Sequence, residues 1–195
     1  MTNHFVNLVS WRYFITNYTD SKIHLDSISI RFLAYIYGYK GFRSCSGFVF
    51  YSKRKNELKD SLFLTSQYIE GIPMQSKLPY WRDIKEVCIP VEIKKELNKA
   101  STVVIGISSP KQDRLAHLIQ KKYDIDSVYC LGAAIYPTED LTKYDRYGIN
   151  WLLLLVRQPK RTMGKIKITL NEVFLILFYK HDRLLFKTFL GRLCY

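Results

Sequence analysis

Short apolar runs and amphipathic stretches alternate along most of this chain. The apolar runs predict strands over residues 5–9, 22–26, 61–65, 87–89, 102–107 and 127–131. Apolar positions at helical spacing predict helices over residues 27–37, 92–99, 110–123 and 144–161. The run Thr102–Ile107 is apolar and β-branched, which is typical of a strand buried on both faces of a parallel sheet. The pattern therefore predicts an α/β fold, with a mainly parallel Rossmann-like sheet flanked by helices.

Composition narrows the classes of protein that the chain can belong to. Its 195 residues suffice for one domain with an appendage, and 48% hydrophobic residues exclude wholesale disorder. The net charge of +13 indicates a polyanionic partner, which could be nucleic acid, an anionic membrane surface or a phosphorylated substrate. No nucleic-acid-binding motif is present, so nucleic acid is not the expected partner. The longest apolar runs, 151–156 and 173–179, are too short to span a bilayer.

The positive charge is concentrated near the end of the chain. Residues 157–195 contain nine Lys and Arg but only two acidic residues, together with the apolar runs 173–178 and 184–186. This composition is typical of an interfacial amphipathic segment, and the alternative is a helix packed on the core with a solvated basic face. We therefore predict a domain over 1–162 and a basic, apolar, helical appendage over 163–195 that lies on anionic membrane. The apolar side chains expected to insert are Phe174, Leu177, Phe178, Leu185, Phe186 and Phe189.

Cysteine and histidine spacing predicts neither a metal nor a cofactor. Cys45, Cys88, Cys130 and Cys194 form no C-x-x-C pair, which favours reduced thiols in a cytosolic protein. The four histidines, His4, His24, His117 and His181, show no spacing typical of metal ligands. The N-terminus also lacks the pattern of a signal peptide.

The loop between the strand at 102–107 and the following helix is the strongest candidate for a binding site. Ser108 or Ser109 can cap the helix, and Pro110 suits its first position. In open α/β sheets, ligands bind where a strand ends and a helix begins, and the free N–H groups there favour an anion such as a diphosphate. Lys111 adds charge and Gln112 a hydrogen-bonding amide, although an ordinary capped helix start is the alternative.

Residues 104–113, V-I-G-I-S-S-P-K-Q-D, resemble the G-x-P-K-Q-E signature of the WecG/TagA/CpsF glycosyltransferases, family 26. Further blocks are similar to that family in the same order. They are Val6-Asn7, His24–Ile28, Arg43 with Gly47, Leu131–Ile135, Gly148–Leu152 and Gln158–Arg161. The resemblance covers residues 5 to about 161.

The resemblance implies an inverting, metal-independent transfer of a hexose or N-acetylhexosamine. The donor would be a UDP-sugar and the acceptor a polyprenyl-diphosphate-linked saccharide, in bacterial surface polysaccharide synthesis at the inner face of the cell membrane. Asp26 would then be the base that takes the acceptor hydroxyl proton, although it could instead cap the helix over 27–37. The residues expected to bind substrate are Asn7, Arg43, Ser109, Lys111, Gln112, Gly132, Arg157 and Arg161. Of these, Asn7, Arg43 and Gln112 are expected to line one pocket with Asp26.

Several positions depart from the pattern of that family. Tyr136 stands where the family has an aspartate, Asn150 replaces a glutamate, and the R-A-P segment is absent. The chain is also shorter than is usual in the family. A degenerate member that binds a nucleotide-sugar without turnover is therefore the alternative function. The sequence leaves the oligomeric state open, and a homo-oligomer is compatible with it.

Overall fold

The computed structural model describes residues 1–17, 21–40, 46–136, 155–156 and 159–193. Six strands form one parallel sheet flanked by helices, in the order β2-β1-β6-β5-β3-β4, so the fold is α/β and Rossmann-like as predicted. The strands are β1 Thr2–Val6, β2 Lys22–Leu25, β3 Leu62–Thr65, β4 Gln75–Lys77, β5 Thr102–Gly106 and β6 Ser127–Cys130. The helices are α1 Tyr13–Thr16, α2 Ile28–Ile36, α3 Gly47–Arg54, α4 Lys94–Leu97, α5 Lys111–Lys122, α6 Pro159–Phe178 and α7 Lys180–Arg192. Short 3-10 helices cover Ile84–Glu86 and Gly132–Ile135.

The described residues group into two compact units. The first contains residues 1–5, 21–22 and 47–136, and the second contains residues 6–17, 23–40, 46, 155–156 and 159–193. The predicted appendage over 163–195 begins inside α6, and it belongs to the second unit together with residues 6–17 and 23–40. The division of the chain after residue 162 stays a prediction.

The first unit is built on the predicted βαβ element. β5 and β6 are parallel neighbours, with Val103 opposite Val128, and α5 connects them. Val103–Gly106 is fully buried, which confirms the prediction of a strand covered on both faces. The core of this unit joins Val103 and Ile105 of β5 to apolar residues of β6, of β3 and of α5. They are Val128 and Cys130, Leu62 and Leu64, and Leu115 and Ile119.

The second unit has a separate core in which the C-terminal helices take part. Trp11 is fully buried, and its ring lies edge-on to that of Phe186, with centroids 5.1 Å apart. Phe189 and Leu190 of α7 and Ile176 of α6 are also buried there, beside Leu25 and Leu33. Two of the side chains expected to insert into membrane, Phe186 and Phe189, are therefore core residues, which corrects that expectation.

Glu172 of α6 anchors the N-terminal segment of the second unit. Its carboxylate accepts hydrogen bonds from Trp11 Nε1 at 2.9 Å and from Arg12 Nε at 2.8 Å. Arg12 also donates through Nη2 to Asp182 of α7 at 2.7 Å. Burial lowers the pKa of Arg12, but the hydrogen bond to Asp182 and the charge of Glu172 outweigh it, so the pKa is raised. Arg12 is therefore held as a cation between two carboxylates.

Several predicted boundaries were wrong. β1 ends at Val6 instead of residue 9, because the carbonyl oxygen of Asn7 accepts hydrogen bonds from the N–H groups of Ser10 and Trp11 and so forms a turn. Residues 87–89 form no strand, since they follow a 3-10 helix and precede Pro90. The helix predicted over 92–99 is reduced to α4.

The predicted start of one helix and the predicted end of another also need correction. Pro110 occupies the N-cap position of α5 instead of its first helical position, and no side chain caps that helix start. The chain stays helical beyond residue 161, where the helix over 144–161 was predicted to end, because α6 runs from Pro159 to Phe178. Most of the helix predicted over 144–161, with Trp151, lies outside the described residues.

Candidate functional site

The predicted binding loop lies at the carboxyl end of β5, where α5 begins. The carbonyl oxygen of Ser108 accepts hydrogen bonds from the N–H groups of Lys111 at 3.1 Å and Gln112 at 3.3 Å. The peptide bond between Ser109 and Pro110 is cis. The positive end of the α5 dipole therefore lies at this loop, which is the arrangement expected for an anion-binding strand-to-helix turn.

Gln112 places a buried amide beside the start of the next loop. Its side chain is 3% exposed, and Nε2 donates to the carbonyl oxygen of Cys130 at the end of β6, at 3.2 Å. Within the described part of the chain, Oε1 is buried without a hydrogen-bond partner. A buried polar atom of this kind normally has a partner, so Oε1 is an acceptor that a bound ligand could satisfy.

Gly132 approaches this amide closely because it lacks a side chain. Its φ is +57°, a conformation that favours glycine. A Cβ at this position would lie 3.5 Å from Gln112 Oε1 and 3.4 Å from the carbonyl oxygen of Ile107. Gly132 and Gln112, which are 20 positions apart in the chain, therefore lie next to one another.

The carboxylate of Asp113 stands at the centre of a buried polar network. Oδ1 lies 2.7 Å from His4 Nδ1, and both side chains are almost fully buried, at 1% and 4% exposure. Ser109 Oγ donates to Oδ2 of the same carboxylate. The hydroxyl of the predicted binding residue Ser109 is thus directed to Asp113.

Cys130, the last residue of β6, lies next to this network. Burial, together with the negative charge of Asp113, raises the pKa of its thiol well above the usual value. The nitrogen, oxygen and sulfur atoms of His4, Asp113 and Cys130 that can bind a metal all lie within 4.8 Å of one another. The sequence did not predict this group, because the three residues are far apart in the chain.

Lys111 does not extend freely from the loop. Its Nζ donates to the carbonyl oxygen of Trp81 and lies 5.2 Å from the centre of the Tyr80 ring. The predicted contact of Lys111 with a diphosphate would require this ammonium to leave the carbonyl of Trp81.

Tyr136, which replaces an aspartate of the resembled family, follows the 3-10 helix Gly132–Ile135, and its side chain reaches the carboxyl end of β5. Its hydroxyl donates to the carbonyl oxygen of Gly106 at 3.0 Å and forms a second hydrogen bond with Ser66 Oγ at 2.9 Å. The phenol thus connects the carboxyl ends of β5 and β3. Tyr136 thus differs from the residue of the resembled family, and it has a structural role of its own.

Asn7 and Asp26 belong to the second unit. Asn7 Oδ1 accepts a hydrogen bond from the N–H group of Val9 at 2.9 Å, so the side chain supports the turn after β1. Asp26 follows β2 directly, and its N–H group donates to the carbonyl oxygen of Val6 at 2.8 Å. Ser27 caps α2, because its Oγ accepts from the N–H group of Ile30 at 3.3 Å. Asp26 is therefore not the N-cap residue of that helix.

The side chains of the other three predicted site residues lie outside the described part of the structure. Arg43 and Arg157 lie outside the described residues, and Arg161 is described only as part of the backbone of α6. Ser109, Lys111, Gln112 and Gly132 lie in the first unit. The pocket shared by Asn7, Asp26, Arg43 and Gln112 stays a prediction.

No model of a known protein family, no curated protein and no solved structure matches this chain. The structure itself assigns the chain to the α/β proteins with a Rossmann-like fold. Among the described residues, no helix has the length and apolarity needed to cross a bilayer.

Proposed function

We propose that this chain is an inverting glycosyltransferase. It moves a hexose or N-acetylhexosamine from a UDP-sugar to a polyprenyl-diphosphate-linked saccharide during synthesis of a bacterial surface polysaccharide. The observation that carries this proposal is the arrangement of Gln112. Gln112 belongs to residues 104–113, the block that resembles the family signature. Its amide is buried at the start of α5 beside Gly132, and its Oε1 has no hydrogen-bond partner among the described residues.

The first unit supplies groups suited to the UDP part of the donor. The positive end of the α5 dipole favours the negative charge of a diphosphate at this loop, while the N–H groups of Lys111 and Gln112 donate to the carbonyl oxygen of Ser108. Gln112 Oε1 can accept a hydrogen bond from a uracil or ribose donor group. The α5 dipole stabilises the negative charge that develops on the departing UDP in the transition state, and no metal takes part in the step.

Asp26 is the proposed base. Its carboxylate would take the proton of the acceptor hydroxyl while the hydroxyl oxygen attacks the anomeric carbon from the face opposite UDP. The bond from the anomeric carbon to UDP breaks as the new glycosidic bond forms, so the configuration inverts. Because Ser27 caps α2, the Asp26 carboxylate is not needed for capping.

The experiment that tests the function uses the full chain with UDP and UDP-sugars. UDP at 100 times its Kd is expected to stabilise the fold by about 2.7 kcal/mol, which thermal unfolding would detect. Gln112→Ala is expected to remove this stabilisation, whereas Gln67→Ala, at an exposed position, is expected to retain it. Adding a polyprenyl-diphosphate-linked saccharide to protein and donor should release UDP. A chain that neither binds UDP nor releases it from any UDP-sugar would contradict the proposal.

Tyr136 supports a second candidate function. Tyr136 stands at a position where the resembled family has an aspartate, and its hydroxyl forms hydrogen bonds with Gly106 and Ser66. The carboxylate of that family is therefore replaced by a side chain with a structural role. A protein that binds a UDP-sugar without turnover would fit this change. Stabilisation by UDP-sugars without release of UDP is the result that selects this candidate.

The proposed acceptor is embedded in a bilayer, so the protein must come to the membrane surface. α6 carries an exposed apolar stripe of Met163, Leu170, Phe174 and Phe178, spaced at helical intervals. The rings of Phe174 and Phe178 lie against one another, with centroids 4.9 Å apart and planes tilted by 37°. The exposed residues Lys160 and Lys167 share this spacing and could meet anionic headgroups. We propose this stripe as the membrane-binding surface, in place of the buried Phe186 and Phe189.

Replacing both Phe174 and Phe178 by serine should weaken binding to anionic vesicles by about 10–100-fold, because two large apolar side chains no longer insert. Co-sedimentation at low salt measures the effect. Phe32→Ser, at another exposed phenylalanine, is the control and should bind like the natural chain. Undiminished sedimentation of the double variant would show that the stripe does not contact membrane.

A further inference from the structure

Three different metal-binding side chains meet beside the neighbouring strands β1 and β6. His4 of β1 and Cys130 of β6 are directly opposite one another in the parallel register. Asp113, from the first turn of α5, completes the group, and all three side chains are buried. The backbone of three separate elements thus fixes the positions from which the side chains converge.

The spacing of the three ligand atoms suits a small tetrahedral ion. Bonds of about 2.0 Å to nitrogen and oxygen and about 2.3 Å to sulfur place tetrahedral ligand atoms about 3.3–3.5 Å apart. The three atoms lie within 4.8 Å of one another. His4 Nδ1 and Asp113 Oδ1, now 2.7 Å apart, would separate by only about 0.6 Å to admit the ion. Small side-chain movements therefore suffice.

The charges of these groups select the kind of ion. One thiolate, one carboxylate and one neutral imidazole carry two negative charges, which a divalent cation neutralises within the protein interior. A thiolate and an imidazole favour Zn²⁺ over Mg²⁺ or Ca²⁺, since the latter prefer oxygen ligands.

Neighbouring residues already hold the ligands in place. Ser109 Oγ donates to Asp113 Oδ2, which leaves Oδ1 directed to His4. Gln112 Nε2 donates to the carbonyl oxygen of Cys130 and fixes the end of β6. Hydrogen bonds of this kind orient the ligands of metal sites and tune their affinity.

We propose that His4, Asp113 and Cys130 bind Zn²⁺, which joins β1, β6 and the start of α5. This site goes beyond the proposed sugar transfer and takes no part in its chemistry. Its effect would be structural, because it holds the first turn of α5 to the neighbouring strands β1 and β6.

The test uses Co²⁺ as a spectroscopic substitute for Zn²⁺. In a full-length variant with Cys45, Cys88 and Cys194 replaced by serine, Cys130 is the sole thiol. One equivalent of Co²⁺ is expected to bind and to produce a thiolate-to-cobalt charge-transfer band, which Zn²⁺ then abolishes by displacement. Ser109→Ala should weaken the affinity for Co²⁺ by about 10–100-fold, because it removes the hydrogen bond that orients the carboxylate.

Single substitutions in the natural chain give an independent comparison. Cys130→Ser and His4→Gln should each abolish the cobalt–thiolate band, and Cys88→Ser, at an exposed cysteine, should keep it. Circular dichroism verifies that each variant is folded. If Cys130→Ser does not fold, the comparison rests on His4→Gln. A folded natural chain that binds no Co²⁺, or a band that persists in folded His4→Gln, would overturn the proposal and leave His4 and Asp113 as a buried hydrogen-bonded pair.

Discussion

Replacing Asp26 by asparagine is expected to lower the rate of the proposed sugar transfer by about 10²–10⁴-fold, because an amide cannot act as the proposed base for the acceptor hydroxyl. The loss should appear in kcat, and binding of UDP should remain, since Asp26 does not belong to the α5 loop. The fold is expected to persist, because α2 is capped by Ser27. Release of UDP and thermal stabilisation by UDP, measured on the same sample, separate these effects.

The matched control for this variant is Asp60→Asn, which makes the same change of charge at an exposed aspartate. It should transfer sugar at the natural rate. If Asp26→Asn retains its rate within about threefold, another group is the base. Asp26→Ser provides a second variant in case the asparagine side chain disturbs the turn after β2.

Replacing Phe186 by alanine is expected to destabilise the second unit by about 3–5 kcal/mol. The side chain is fully buried, and its ring contacts those of Trp11, Phe189 and Tyr37, with centroids 5.1, 6.1 and 6.2 Å away. Its removal leaves a cavity in the core and forfeits these ring contacts. Urea denaturation followed by tryptophan fluorescence measures the loss, because Trp11 is an immediate neighbour.

Phe178→Ala is the control from the same C-terminal region, since that side chain is 69% exposed. Its effect should stay within about 0.5 kcal/mol. Equal stability of the two variants would mean that α7 does not belong to the core. By the same reasoning, truncation after Thr162 should unfold the second unit, because it removes Ile176, Phe186, Phe189 and Leu190 from the cluster around Trp11.

The predicted bounds were most accurate for elements in which the apolar residues of the sequence are also the buried residues of the structure. β5 is apolar and buried from Val103 to Gly106, so its bounds were nearly correct. β4 was missed because Gln75, Ser76 and Lys77 form a polar strand at the edge of the sheet, with no apolar alternation to reveal it. β1 was shifted because Phe5–Val9 continues the apolar pattern beyond the turn at Asn7, which only hydrogen bonding shows.

The candidate site was predictable where its residues are contiguous. Ser109, Lys111 and Gln112 follow one strand directly, so a single sequence block indicated the loop. The position of Lys111 against Trp81 depends on a contact across 30 residues, which the local pattern cannot show. The same limit hid His4, Asp113 and Cys130, because their proximity arises from the register between β1 and β6 and from the entry of α5.

The anchoring of Trp11 and Arg12 by Glu172 has a consequence for biosynthesis. Glu172 lies 161 residues after Trp11 and 160 residues after Arg12. The N-terminal turn therefore emerges from the ribosome long before Glu172 has been synthesised. The segment 47–136, by contrast, can begin to assemble its strands while the rest of the chain is still being made. The core of the second unit closes only after α7 has been translated, and its early apolar residues remain exposed until then. Leu8, Trp11 and Phe14 are therefore among the side chains left open to aggregation or to a chaperone on the nascent protein.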